Sequence, residues 1–444
     1  MTTTTEVSRA SYEEIRQRHQ THFFQQLGPH LERLGWSAPR PPRAPDVASG
    51  TEADLARVPI MSKDDLMANF DGIVTDPRIT LELANRHAAG LTSDGCLLDE
   101  HHAIASGGSS GRRGVYLYDW NGWTDWGISC LRYMLRMRQA APASAREATT
   151  AVVMADVAAH GSSACPQTFR DAFGAGRVVR LPSSLAIEEI IEGLNACQPA
   201  VLMAYPSILA QPAAAARRRE LSISPRLLCT SAEPLRPGIR DSALAQWRAR
   251  IVNLWGTSEG GAIACGCGEG SGMHLSDDLV IVEPVDAEGR PVGPGQRSAK
   301  LYLTNLFNHA LPLIRYELTD EVTLSTRTCP CRSAHRLVED VQGRLEDRFV
   351  YPGVPPVHSL LFHTVLDPEP GIVEYQVRQT ARGAEVDVVR SGPADLDALA
   401  REIGAKLAKA GVPSPAVTVR EVSRIARPAG GKLKRFVPLV SAER

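Results

Sequence analysis

The stretch Ser106-Gly107-Gly108-Ser109-Ser110-Gly111-Arg112-Arg113-Gly114 decides how the chain is read. Three glycines within six residues let the backbone turn its amides inward, while Ser106, Ser109 and Ser110 add hydroxyls and Arg112 and Arg113 add positive charge. Such a loop has the chemistry to wrap a triphosphate. The apolar runs Ala103 to Ala105 and Val115 to Tyr118 predict a strand on each side. Strand, loop, strand excludes the usual P-loop, in which Gly-Lys-Ser/Thr opens a helix. A Gly/Ser run is also the composition of a flexible linker, so the reading depends on the segments that accompany it.

At 444 residues the chain exceeds one ordinary core, and two or more domains are expected. Lys plus Arg number 49 against 50 Asp plus Glu, which leaves no net field to attract nucleic acid or an anionic membrane. A small-molecule enzyme fits this balance. Met1 to Gln20 is polar and lacks the apolar core of a signal peptide. No run approaches the ~18 apolar residues of a membrane span. A soluble, cytoplasmic protein is expected. Four of the nine cysteines form two Cys-x-Cys pairs, Cys265 with Cys267 and Cys329 with Cys331, a clustering of metal ligands rather than of a secreted disulfide framework.

Apolar spacing over Tyr12 to Leu34 predicts one or two amphipathic helices, ended by the prolines between Pro39 and Pro45. Ser62, with Asp65 three residues later, reads as a helix cap. From about Thr150, short apolar strands (Ala151 to Met154, Ala200 to Met203, Leu227 to Thr230, Arg250 to Leu254) alternate with helical segments such as Ile187 to Leu194. This predicts an α/β core with substantial parallel sheet. Pro212 to Ala216, followed by three arginines, reads as a helix with a solvated end. Past Val341 to Arg348 the character changes. Strands at Ile372 to Arg378, Glu385 to Val389 and Ala416 to Val422, with a helix marked by Leu396, Leu399, Ile403 and Leu407, predict a compact α+β domain of about 100 residues.

Taken together, the glycine loop and the later segments resemble the adenylate-forming superfamily, and within it the phenylacetate-coenzyme A ligase-like branch. The resemblance runs in order from Ser106 to Lys432. It implies a large N-terminal α/β domain with mixed and parallel sheets over residues 1–343, a hinge at 344–348, and a small mobile α+β domain over 349–444. Ser106, Gly107, Gly108, Ser109, Ser110 and Gly111 would hold the pyrophosphate end of ATP, with Arg112 and Arg113 where the family has lysine and proline. Ser231, Ala232, Glu233 and Pro234 resemble the segment along the adenine. They follow a strand at the carboxyl end, where α/β sheets bind ligands, although a helix cap would read the same way. In Trp255-Gly256-Thr257-Ser258-Glu259, expected just after a strand, Trp255 and Gly256 would pack by the nucleotide, Thr257 would touch the α-phosphate and Glu259 would hold Mg²⁺. A carboxylate suits that hard cation.

Leu313 to Asp320 resembles the strand whose aspartate takes the ribose hydroxyls, a diol that the Asp320 carboxylate can accept from twice. Arg315 would stabilise charge there, with a structural ion pair as the alternative. Arg344 would contact the nucleotide and Glu346 would be the hinge residue; both fall in the segment Gly343 to Asp347, where the family usually has aspartate at position 346. Lys432, after two glycines, matches the lysine that reaches the substrate carboxylate and the α-phosphate; a point charge on a flexible stem suits a pentavalent phosphate. His160 and Tyr205 lie where relatives line the acid pocket, or else are core residues with satisfied hydrogen bonds. Of five clustered soft ligands, Cys267, His274, Cys329 and Cys331 resemble the zinc site of part of the branch and leave Cys265 over. Four protein ligands would make that Zn²⁺ structural.

The activity so implied is ATP- and Mg²⁺-dependent adenylation of a small acid, followed by acyl transfer to coenzyme A. An amine or carrier-protein acceptor, nitrite activation for diazotisation of an aryl amine, a non-catalytic zinc-stabilised scaffold and a homodimeric assembly all stay open at the level of sequence.

Overall fold

The computed structural model describes residues 55–91, 96–106, 114–139, 149–155, 159–161, 164, 177–269, 272–331, 333–344, 347–427 and 432–439. The expected helices over Tyr12 to Leu34 lie outside these residues. The elements begin with α1 (Lys63–Ala68), α2 (Phe70–Ile73) and α3 (Leu81–Gly90), followed by strands β1 (Cys96–Leu97), β2 (His101–Ala105) and β3 (Val115–Asp119) and the helix α4 (Trp120–Gln139). Next come β4 (Thr150–Val153), β5 (Val178–Arg180), α5 (Ile187–Cys197), β6 (Val201–Ala204), α6 (Pro206–Arg217), β7 (Leu227–Ser231) and α7 (Pro237–Gln246). Strands β8 (Arg250–Thr257), β9 (Gly261–Cys265), β10 (Met273–Leu275), β11 (Val280–Val285), β12 (Lys300–Asn305), β13 (Tyr316–Leu318), β14 (Asp320–Leu324) and β15 (Leu337–Arg344) form an unbroken β series. The chain closes with α8 (Leu360–Leu366), β16 (Ile372–Thr380), β17 (Gly383–Arg390), α9 (Leu396–Lys409), β18 (Ala416–Glu421) and β19 (Phe436–Val437).

Two compact units make up the chain. The first gathers Met1–Leu135, Ala158–Phe169 and Leu254–Asp340, the second Arg136–Val157, Arg170–Asn253 and Val341–Arg444. In the first, α1 starts where the sequence says: Asp65 N–H donates to Ser62 Oγ at 3.1 Å and Ser62 N–H donates back to Asp65 Oδ2 at 2.9 Å, satisfying two amides that no helical turn can. β2 and β3 pair antiparallel, Ala105 opposite Val115, so the glycine-rich loop is the tip of a hairpin. β10 lies antiparallel to both β9 and β15, and β11, β12 and β13 form a separate antiparallel sheet.

In the second unit, β4 runs parallel to β5 and β6, and β6 runs parallel to β7. The sequence expects this parallel core, since its strands carry apolar residues on both faces. Ala151, Val153, Leu202, Leu228 and Ile190 pack into one buried cluster with Leu209 and Ala213 of α6. The Ala-rich tract forms the buried face of α6, and its arginines lie at the end. Residues beyond Phe349 have a second core, in which Phe349, Phe362, Val377, Val386, Ile403 and Phe436 meet. There β16 and β17 pair antiparallel, β18 lies parallel to β17, and β19 lies parallel to β16.

Three details differ from the sequence reading. β8 extends through Thr257, so Trp255, Gly256 and Thr257 lie within the strand rather than after it; a bulge between Trp255 and Gly256 lets pairing to β9 continue. The segment Leu313 to Asp320 holds a short strand, β13, and the start of a second, β14, with Thr319 between them. The C-terminal sheet gains β19, two residues long and too short to leave a periodic signal.

Candidate active site

In the first unit, the glycine loop is closed at its base by a rung: Ser106 N–H donates to Gly114 O and Gly114 N–H to Ser106 Oγ, both at 2.9 Å. Gly107, Gly108, Ser109, Ser110 and Gly111 lie outside the described residues. β3, leaving this loop, carries Tyr116 and Tyr118 on one face by strand alternation. Tyr116 donates its hydroxyl to Glu259 Oε1 at 2.6 Å, and its oxygen is 3.0 Å from the Tyr316 hydroxyl. Tyr118 donates to Ser258 O at 2.5 Å, and Asn305 Nδ2 donates to Glu259 O at 2.9 Å. Segments 143 and 200 residues away from Tyr116 thus meet at its hydroxyl, and the carboxylate it holds belongs to a residue 5% exposed.

Burial, and next the negative charge of Glu259, push both tyrosines well above the ordinary phenol range. Both stay neutral donors, Tyr116 to the Glu259 carboxylate and Tyr118 to the Ser258 carbonyl. Behind Glu259 the hairpin is tight. Gly261 has φ +65°, and a Cβ at Gly256 would stand 3.1 Å from Gly261 O and 2.8 Å from a Leu254 methyl. Gly260 N–H donates to Thr257 Oγ1 at 3.1 Å, which fixes the rotamer of that hydroxyl. Trp255 is buried, and its indole nitrogen has no hydrogen-bond partner among the described residues.

Asp320 opens β14, four residues after Tyr316, and is buried. Arg315 sits on the bend before β13. It has φ +47°, its Nε donates to Glu283 at 3.2 Å, its Nη1 donates to Ala56 O and Val58 O, and its guanidinium lies 5.1 Å over the Tyr302 ring. His160 is buried beside the end of β2, where Ala105 N–H donates to Ala159 O at 2.7 Å.

In the second unit, Ser231 ends β7 and Ala232 turns the chain with φ +68°. Glu233 points its carboxylate at backbone donors: Ser207 N–H at 3.0 Å, at the start of α6, and Leu433 N–H at 2.8 Å, one residue past Lys432. The turn after β7 and the segment following Lys432 are therefore joined. Tyr205 is wholly buried, with its hydroxyl accepting the Ala155 amide at 3.2 Å. Arg344 ends β15 and Glu346 lies outside the described residues, so the structure is silent on the hinge motif. Sequence reasoning missed Tyr116, Tyr118 and Asn305; alternation along β3 was the one available signal, for the two tyrosines.

The cysteine pairs converge in the first unit. Cys267, His274, Cys329 and Cys331 place their ligand atoms within 4.8 Å of one another. Cys267 Sγ is 3.5 Å from Cys329 Sγ, and Cys331 Sγ is 3.2 Å from His274 Nε2. The pairing of β9 with β10 sets Cys265 opposite His274 but outside this group. Burial opposes a thiolate at Cys267, yet hydrogen bonds from His274, the Glu269 backbone and the other two thiols bring it down to about 6. Burial and the neighbouring sulfurs push Cys331 up to about 12. The opposed shifts are those of thiols that share a negative charge among them.

No protein-family model matches the chain. A phenylacetate-coenzyme A ligase of Thermus thermophilus is 28% identical over 272 residues, 54% of this chain and 61% of that protein. Another of Pseudomonas putida is 24% identical over 214 residues, 47% of this chain and 46% of that protein. The chain thus spans less than two thirds of these curated relatives. The structure of a 2-hydroxyisobutyryl-CoA ligase, in the postadenylation state with its acyl-AMP, superposes with a TM-score of 0.68 at 18% identity, covering 99% of this chain and 91% of that one. The fold is that of the adenylate-forming enzymes. In sequence the chain is similar to the two phenylacetate-coenzyme A ligases over about half its length. Among the described residues, no helix is long and apolar enough to cross a membrane.

Proposed function

We propose that the chain is an ATP-dependent, AMP-forming ligase that activates a small carboxylic acid and passes the acyl group to coenzyme A. The observation that carries the reading is the joint at Glu259. A buried carboxylate is held by the hydroxyl of Tyr116, on the strand leaving the glycine loop, and the same hydroxyl meets that of Tyr316, on the strand leading to Asp320. One carboxylate with substrate phosphates is the usual protein share of a Mg²⁺ site. Mg²⁺ there would neutralise the phosphate charge, the loop Ser106 to Gly111 would grip the pyrophosphate end, and Asp320 would accept the ribose diol.

In the first step a carboxylate oxygen of the acid attacks the α-phosphorus. The bond from that phosphorus to the oxygen bridging the β-phosphate breaks, and pyrophosphate leaves with the electron pair. Lys432 supplies charge to the five-coordinate phosphorus, where stabilisation counts most. In the second step the coenzyme A sulfur, its proton lost to solvent, attacks the acyl carbon, and AMP leaves as the C–O bond to its phosphate breaks. Residues 344–348 serve as the hinge between the two steps.

Cys267, His274, Cys329 and Cys331 are the Zn²⁺ ligands in this reading. Three sulfurs and one imidazole nitrogen fit the donor chemistry of the ion, and a tetrahedron with bonds of about 2.0–2.3 Å has edges of roughly 3.5–3.8 Å, close to the spacing present. The ion would be structural. A cytoplasmic location, where thiols stay reduced, accords with that cluster.

ATP/pyrophosphate exchange across aryl, fatty and amino acids and nitrite, with Lys432→Ala as control, tests the reading. Exchange with a carboxylic acid that disappears in the control is expected. Absence of exchange with every acid would favour a non-catalytic scaffold. Weighing products after adding coenzyme A, an amine or a carrier protein identifies the acceptor.

A further inference from the structure

We infer that Arg427 is a positioning residue for Lys432, acting through Glu233; the inference rests on the adenylation reading above. Arg427 has a side chain 9% exposed, between two buried carboxylates, Glu233 at 9% and Glu374 at 2%. Its Nη2 pairs with Glu374, its Nη1 lies 3.8 Å from Glu233 Oε1, and the same Nη1 donates to Ser207 Oγ at 2.9 Å. Burial raises Glu374 above the ordinary carboxylate range, and Arg427 is the main influence opposing that rise. Without the guanidinium, two carboxylates face each other out of water, which is far costlier than either alone.

Glu233 in turn spends both oxygens on backbone amides, Ser207 N–H and Leu433 N–H. Consecutive Cα atoms are about 3.8 Å apart, so anchoring the Leu433 amide fixes where the Lys432 stem begins. The far side of the same segment is anchored as well. Gln376 Nε2 donates to Lys434 O at 2.7 Å, Val377 N–H donates to Arg435 O at 2.8 Å, and the Arg435 guanidinium stacks 4.4 Å over Tyr375. Lys432 therefore immediately precedes a short span anchored at Leu433, Lys434 and Arg435, and the anchor next to it rests on a carboxylate that Arg427 flanks at 3.8 Å. A flexible lysine gains most from such a mount, because misplacement by about 1 Å can cost ~10²-fold in rate. Thioester formation from a finished acyl adenylate creates no five-coordinate phosphorus and does not draw on this mount.

The test compares full-length wild type, Arg427→Ala, Arg427→Lys, Lys432→Ala and the Arg427→Ala/Lys432→Ala double variant. ATP/pyrophosphate exchange, thioester formation from synthetic acyl adenylate plus coenzyme A, and amide deuterium uptake over 432–437 are read on each. Arg427→Ala is expected to slow the first half-reaction by about 10²-fold, to leave the second within threefold, and to add little in the double variant. Uptake at Leu433 should rise, and Arg427→Lys should recover part of both readouts. Unchanged uptake, equal loss in both half-reactions, or fully additive losses would overturn the inference. Should wild type turn over no acid at all, the adenylation reading fails by itself, while deuterium uptake still decides whether Arg427 holds the segment. Should Arg427→Ala fail to fold, Arg427→Lys carries the comparison.

Discussion

Tyr116 and Glu259 share a hydrogen bond of 2.6 Å in the interior of the first unit, between a strand that leaves the glycine loop and the turn that follows β8. A hydroxyl donating to a charged carboxylate is worth about 1.5–3 kcal/mol, and here it also fixes which oxygen of Glu259 remains for a cation. Tyr116→Phe removes that bond and the one to Tyr316 while keeping the ring. The expected result is a folded protein whose adenylation rate falls about tenfold or more, with a raised Mg²⁺ requirement. Initial rates against Mg²⁺ concentration check it; an unchanged requirement would show that Glu259 does not face the metal.

Gly256 is the point where β8 and β9 approach too closely for a side chain. A Cβ there would meet Gly261 O at 3.1 Å and a Leu254 methyl at 2.8 Å, and backbone cannot step aside as a side-chain tip can. Gly256→Ala should therefore destabilise by about 1–3 kcal/mol, as overpacking does, and displace Glu259, which lies three residues on. Denaturant unfolding followed by tryptophan fluorescence reads the first effect, and nucleotide affinity the second.

Acid should loosen the second unit through His363. Its Nδ1 is 2.5 Å from the Tyr375 hydroxyl, which donates to Asp367 Oδ1 at 2.6 Å, while Arg236 donates to Nε2 at 2.6 Å. Burial, outweighing the pull of Asp367, lowers His363 to about 3 from an ordinary 6.5. The folded state keeps the ring neutral while the unfolded chain binds a proton below about 6.5, so stability holds above that pH and drains away as pH falls toward 3. At pH 5 the loss from this group is on the order of 2 kcal/mol. Asp367, held below the ordinary carboxylate range by His363 and Arg236 despite its burial, adds to the loss in more acidic solution. Unfolding midpoints between pH 7 and pH 5 should fall for wild type and fall less for His363→Gln. Parallel slopes would remove His363 from the account.

The α/β core, the C-terminal α+β region and the cap at Ser62 were legible because each rests on local pattern: apolar runs, helical spacing, a serine with an acid three residues on. Strand ends were less so. Trp255 to Thr257 join β8 because a bulge absorbs the glycine, and no sequence signal marks a bulge that only the partner strand Gly261–Cys265 demands. The motif singles out Glu259 in the sequence, yet nothing singles out its partner Tyr116, because a buried phenol and a core phenylalanine leave the same trace in a strand. Nor does any sequence signal reveal that the Arg315 guanidinium engages Glu283, Tyr302 and two carbonyls near the start of the described chain. Long-range pairs such as Glu233 with Leu433, 200 residues apart, are set by tertiary packing and have no local signature.

The cysteine cluster gives the remaining prediction, and Cys265 makes it specific. Cys265 is 1% exposed on β9, its thiol 3.7 Å from its neighbour Gly266's carbonyl oxygen, whereas Cys267, Cys329 and Cys331 converge with His274. If the four converging groups hold Zn²⁺, the ion ties the turn after β9 to the segment after β14. Purified protein should then carry one zinc per chain by elemental analysis. Cys329→Ser should lose the metal and lower the thermal midpoint by roughly 5 °C or more, since metal binding free energy becomes folding free energy. Cys265→Ser should keep the zinc and change the midpoint little. Chelation of wild type should reproduce the Cys329→Ser midpoint and leave Cys329→Ser itself unmoved, because there is no metal left to withdraw. Loss of zinc in Cys265→Ser with retention in Cys329→Ser would mean that the ligand set is different from the one the geometry brings together.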